Sequence, residues 1–241
     1  MSIATEIERL QTAKKDIKSA IEEKGVTVGD GNIDTYAEKI GEISAGGDIT
    51  QNPLYYMNVY DNQWRFAAFP EGFEFVFHVK SLPSNINSLL MNTTGIKTAK
   101  LICDKSGSFV FSGVVRGSTV EVLDITEFKP TPTNLNYFAI SNSKLVSVLG
   151  ELDMTNCTTA TNAFNGTTAL QEIRFKEGTI SIALSFAYNS LLTAESVQSI
   201  IDGLADLTGG TAQKIEFYST ISDSLTDEQL AQIWAKNWTT E

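Results

Sequence analysis

Histidine, cysteine and positive charge are scarce in this 241-residue chain, and each scarcity removes a class of function. The one histidine, His78, has no second His or Cys at ligand spacing, so no zinc-type metal site is expected. A Ser-His-Asp triad would have to use that same residue, and no G-x-S-x-G elbow exists to hold a nucleophile. Neither a G-x-x-x-x-G-K-[ST] loop nor a strand-borne G-x-G-x-x-G turn is present to cradle phosphates. A glycosidase needs only two carboxylates, but nothing singles out a pair among the 29 acidic residues. The chain is therefore expected to be no enzyme, with no catalytic residue and no cofactor. Its two cysteines, Cys103 and Cys157, lie far apart in apolar segments without C-x-x-C spacing and read as reduced core residues.

The 18 basic residues are outnumbered, leaving a net charge of −11. A nucleic-acid binder needs a basic stripe that displaces counterions, and the longest cluster here is Lys14-Lys15 with Lys18 nearby. The acidity argues for solubility and against DNA or anionic membranes. No apolar run reaches the ~18 residues of a membrane span, so no membrane insertion is expected. The first residues carry Glu6 and Glu8 and no apolar h-region, so no signal peptide is expected and assembly is placed in a bacterial cytoplasm.

What is present is enough apolar residue, 42%, for a substantial core. The length suits one large domain with an appendage, or two small domains. Thr5 and Glu8 have the spacing of a capping box, and Ile7, Leu10, Lys14, Ile17 and Ile21 follow with alternating steps of three and four. That is the 3.5-residue repeat of a coiled coil, and it predicts a helix over 5–24 stopped at Gly25. A helix this short is marginal alone. Its seam must be covered by its own chain or by copies of itself, and isoleucine at the seam favours a trimer. These five residues are the candidate oligomerisation set. A second, short helix is expected to put Tyr36, Ile40 and Ile43 on one face. Asp30-x-Asn32-x-Asp34 fails as a calcium loop, because Thr35 and Gly41 stand where an EF-hand requires Gly and Glu.

Further on, Phe73, Phe75, Phe77 and Val79 alternate as a strand with one buried face, leaving His78 on the polar side. Upstream, Tyr55, Tyr56, Tyr60, Trp64 and Arg65 lie on two arms of a predicted hairpin around Asp61-Asn62. Tyr, Trp and Arg favour interfaces, which makes these five the candidate partner-binding residues. They are equally ordinary sheet formers.

A period dominates the remainder. Ile96-x-x-Ala99-x-Leu101, Val120-x-x-Leu123-x-Ile125, Leu145-x-x-Val148 and Leu170-x-x-Ile173-x-Phe175 recur with steps of 24, 25 and 25 residues. Each follows a small polar turn: Asn92-Thr93-Thr94, Gly117-Ser118-Thr119, Ser141-Asn142-Ser143 and Gly166-Thr167-Thr168. Before each turn stands an apolar pair, assigned as Leu89-Leu90, Val114-Val115, Tyr137-Phe138 and Ala163-Phe164. Such a period predicts a leucine-rich-repeat-like solenoid, with a β-sandwich as the alternative. Helices opened by Thr193 and by Thr226 with Gln229 are expected to cap its end, with Leu230, Ile233 and Trp234 sharing a side and Trp238 packed against the cap.

Residues 3–43 resemble an N-terminal module of phage and prophage tail or fibre proteins of gut-type Gram-positive bacteria. Glu6-Ile7-Glu8-Arg9-Leu10, Ala13-Lys14-x-Asp16-Ile17-x-x-Ala20-Ile21, Lys24-Gly25-Val26-Thr27-Val28 and Tyr36-Ala37-x-x-Ile40 carry the likeness. The stretch Asn162-Ala163-Phe164-Asn165-Gly166-Thr167-Thr168-Ala169-Leu170 resembles BspA-type leucine-rich repeats. Val114-Val115 departs from that pattern, so an irregular turn is expected there.

The fold expected from all this is α+β. An N-terminal coiled-coil helix and short helix (1–46) would anchor and oligomerise. An aromatic-rich hairpin region (47–88) would lead into a leucine-rich-repeat-like β/coil solenoid with C-terminal capping helices (89–241). The resemblance implies a non-enzymatic bacteriophage virion protein, a trimeric fibre or adhesin binding a host-surface glycan or protein. The alternative is a collar, baseplate or capsid-decorating spike that contacts other virion proteins.

Overall fold

A computed structural model describes residues 3–22, 27–29, 36, 39, 55–58, 63–66, 69, 71–78 and 86–240. The chain divides into two compact units, Met1–Pro53 and Leu54–Glu241.

In the first unit, helix α1 spans Ile3–Glu22. It begins before Thr5, so Thr5 stands inside the first turn and is not the N-cap that its spacing with Glu8 suggested. Arg9 and Glu6 form a 2.6 Å ion pair one turn apart, and that carboxylate raises the Arg9 guanidinium pKa. Lys18 lies 3.9 Å from Glu22. Ile21 is buried with Val28 and Tyr36 in a small cluster. The predicted stop at Gly25, and Ile40 and Ile43 of the second helix, lie outside the described residues.

The second unit holds all twelve described strands. β1 (Tyr55–Asn58) and β2 (Gln63–Phe66) form an antiparallel hairpin. The main sheet has five strands in the order β3-β4-β6-β8-β9: Phe73–His78, Ile96–Cys103, Val122–Phe128, Ser147–Leu152 and Glu172–Phe175. Every pairing in it is parallel. Alternation sends Phe75, Ala99, Leu101, Leu123, Val148 and Ile173 inward while Glu74, Glu151 and Arg174 stay exposed. β5 (Ser108–Val110) and β7 (Thr131–Asn134) make a two-stranded parallel sheet. β10 (Leu184–Phe186), β11 (Gln213–Phe217) and β12 (Trp238–Thr239) make a parallel sheet of three.

The α+β solenoid expectation is overturned by this arrangement. The core is a predominantly parallel sheet accompanied, across the described residues, by four helices. A repeated apolar spacing fixes how far apart strands fall along the chain. It does not fix which strands pair, in what direction, or into how many sheets, and those relations set the class.

The turns between strands obey a strict rule. Left-handed backbone recurs in pairs four residues apart: Ser88 and Asn92, Gly113 and Gly117, Tyr137 and Ser141, Asn162 and Gly166. Amides of one turn donate to carbonyls of the next, as in Ser88 to Ser112, Gly113 to Asn136 and Tyr137 to Thr161. Two expectations are corrected by this ladder. The Val114-Val115 turn is not irregular, since Leu90 donates to Val114 and Val115 to Phe138 at 2.7 and 3.0 Å. The buried pair in the next turn is Phe138-Ala139, one residue beyond the predicted Tyr137-Phe138, because Ala139 donates to Ala163.

The inside is filled by two ladders. Phe111, Phe138, Phe164, Phe186 and Phe217 follow one another with ring centroids 5.2, 5.8, 4.9 and 6.3 Å apart. The polar turn residues Thr93, Ser118, Asn142, Thr167 and Asn189 are buried beside the strands rather than exposed. Asn142 shows why. Its Nδ2 donates to Ser118 Oγ and to the Val120 carbonyl, and its Oδ1 accepts from the amides of Lys144 and Leu145. A tight turn leaves backbone groups that must be satisfied from within. Gly150 has φ +97°, and a Cβ there would lie 3.0 Å from the Thr126 amide nitrogen, so β8 passes β6 closely at that point.

At the C-terminal side, α2 (Ala194–Gly203) opens on Thr193, whose hydroxyl accepts from the Ser196 amide, and buries Val197, Ile200 and Ile201. After the short α3 (Ser219–Ser222), α4 (Asp227–Ala235) opens with the predicted Thr226–Gln229 capping box. Ile233 is buried, but Trp234 is 60% exposed and does not share its side. Trp238 is buried and donates from Nε1 to the Ala205 carbonyl at 2.9 Å. Both cysteines are free and buried; burial pushes the Cys157 thiol up.

Candidate binding surfaces

On α1 the five predicted seam residues part company. Ile7, Leu10 and Ile17 are exposed to 50%, 54% and 39%. Ile21 is turned into the cluster with Val28 and Tyr36, and Lys14 Nζ sits 5.9 Å from the Tyr36 ring centre in a cation–π contact. The upstream part of the seam thus leaves apolar area in water while the downstream end is covered by its own unit. Three large aliphatic side chains along one helix stripe are a surface that association would bury.

The second predicted set sits on the hairpin. Tyr55 pairs with Phe66, Tyr56 with Arg65, and Met57 with Trp64. Tyr60 lies outside the described residues. His78 pairs with Ile102 in the main sheet.

Several charged residues on the body are paired across strands. Lys100 bridges Asp124 and Glu127, Lys97 lies 3.9 Å from Glu121, and Lys176 meets Asp153 at 2.7 Å. Burial pushes the Asp153 carboxyl up, but hydrogen bonds from Lys176 and from the Thr155 hydroxyl and amide outweigh it and hold the pKa below the ordinary value. A shallow polar groove runs past Thr161, Asn162, Ser185, Lys214 and Glu216. There Ser185 donates to Glu216 at 2.6 Å, which holds that carboxyl pKa below its ordinary value. These ties hold their partners in place on the surface of the sheet. Among the described residues no cluster of three His, Cys, Asp or Glu could hold a metal. No helix there is long and apolar enough to cross a membrane.

One surface pair was missed. The sequence groups Tyr137 with Phe138 as the apolar pair before its turn, yet it is 39% exposed, at φ +57°, with the Arg116 guanidinium 5.8 Å from its ring centre. Apolar class alone does not separate an amphipathic Tyr from the Ala139 that belongs inside. Counting 24 residues on from Gly113, another left-handed position, would have found it. No protein-family model matches the chain, and neither does any curated protein or any solved structure.

Proposed function

We propose that this chain is a non-enzymatic structural protein of a bacteriophage virion. It is a fibre or adhesin that trimerises through its N-terminal helix, joins other virion proteins there, and presents its parallel-stranded body to the host surface. The observation that carries this reading is the exposed stripe of Ile7, Leu10 and Ile17 on α1. A stripe at heptad spacing is stable in water only when covered, and copies of the same helix cover it symmetrically. The resemblance of residues 3–43 to phage tail and fibre modules supports the virion setting.

Light-scattering mass is the test. The full chain is expected at three times the chain mass, and Leu10→Asp, which places a charge in the seam, at one chain mass. A wild-type monomer removes the self-association on which the trimeric fibre rests.

A second reading, a collar, baseplate or capsid-decorating spike, is favoured by a different observation. Ile21 and Lys14 are already engaged with Val28 and Tyr36, which shortens the free seam to a length that fits docking on another virion protein. A monomer that binds virions lacking this chain supports that role.

A further inference from the structure

We propose that Tyr137 and Arg116 form a saccharide contact, taking a pyranose that carries a carboxylate; this rests on the adhesin reading above and names its ligand class. The argument begins with backbone strain. Ser88, Gly113, Tyr137 and Asn162 occupy one repeated turn position, tied level to level by the bonds from Ser88 to Ser112, Gly113 to Asn136 and Tyr137 to Thr161. Their φ values are +56°, +61°, +57° and +53°. Glycine, asparagine and small polar residues suit that conformation, while a bulky aromatic there is an outlier. Strain of this kind persists where a side chain is wanted for something other than packing.

The ring stays partly out of the core. Tyr137 is 39% exposed where its neighbours Phe138 and Ala139 are fully buried, and the Arg116 guanidinium lies over its ring. Arg116 stands over that ring with no carboxylate partner among the described residues, a state it shares with Lys129, Lys144 and Arg174. A planar guanidinium held beside an exposed phenol presents two complementary surfaces. The exposed part of the ring accepts the apolar C–H face of a sugar, and the guanidinium donates two parallel hydrogen bonds to a carboxylate. Asn162, the next residue in the column, is also exposed and adds an amide at the rim.

The experiment uses the full chain on two immobilised probes. One is the disaccharide of N-acetylglucosamine and N-acetylmuramic acid, which carries one carboxylate; the other is neutral diacetylchitobiose. Wild type is expected to be retained on the acidic probe and far less on the neutral one. Tyr137→Gly and Arg116→Gln are each expected to bind the acidic probe at least about tenfold more weakly. Tyr137→Gly must do so without a lower Tm, because it relieves the strained backbone. No retention of wild type, equal retention on both probes, variants that bind as wild type does, or a lowered Tm for Tyr137→Gly would each overturn the proposal. Adhesion to Gram-positive cells separates the two claims. Wild type and variants adhering alike sinks this contact and leaves the adhesin standing, while wild type adhering to no cells sinks both.

Discussion

Asn142 buries every polar atom of its side chain and satisfies each one, with two donated and two accepted hydrogen bonds. Asn142→Leu keeps the volume but strands the Val120 carbonyl and the amides of Lys144 and Leu145 without their partner. With about 1–3 kcal/mol for each buried group left unsatisfied, and the Val120 carbonyl and Leu145 amide both on buried residues, a loss of at least about 2 kcal/mol is expected. It would be read as a lowered urea midpoint at unchanged slope. A loss below about 1 kcal/mol would mean the turn reorganises to satisfy itself. Acid acts on a different set of residues. Asp153 and Asp124 both have carboxyl pKa values below the ordinary one, with burial opposed by Thr155 and Lys176 in the first case and by Thr126 and Lys100 in the second. A depressed folded pKa means the unfolded chain binds the proton more readily. The stability they contribute is complete above about pH 4 and is lost as pH falls through the lower folded values. The urea midpoint should therefore drop below about pH 4, and less steeply in Asp153→Asn; identical profiles would place the acid sensitivity elsewhere.

Among the elements, the C-terminal segment is the one whose packing was most legible beforehand. The Thr193 and Thr226 caps and the inward Trp238 follow from spacing and cap chemistry, and all are found. β12 is only two residues long and is held by the Trp238 ring and its bond to Ala205. Trp238→Ala is expected to cost about 3–5 kcal/mol and to raise hydrogen exchange at β11 and β12 first. Uniform exchange throughout the body would show that β12 is not a separately held element. The first helix teaches the opposite lesson. Its heptad spacing is plain in the sequence, yet Ile21 at the end of the seam faces Val28 and Tyr36. A periodic stripe specifies that it will be covered, and not by what.

At the scale of the whole body, one apolar cluster runs unbroken from Phe69 to Trp238. Phe138 sits in its middle, fully buried between Phe111 and Phe164. A continuous core couples its strands, so Phe138→Ala should cost about 3–5 kcal/mol and lower amide protection in β4 and β9 by similar amounts, although these lie on opposite sides of it. A loss confined to β6 and β8 would mean that the body opens in separate sections.

The sequence by itself determined the recurring apolar pattern that turns Ala99, Leu101, Leu123, Ile125, Val148, Ile173 and Phe175 inward, and how the final helices are capped. These are local matters, set by side-chain alternation, hydrophobicity and cap chemistry, and they can be read one segment at a time. Tertiary structure decided what a single segment cannot contain. It made the main sheet wholly parallel, overturning the expected class, and it set the register of the hairpin, which neither strand fixes alone. It also moved the buried pair one residue on, from Tyr137-Phe138 to Phe138-Ala139, because the hydrogen-bond ladder to the neighbouring turns sets that position. That one-residue shift is what brought Tyr137 out to the surface beside Arg116.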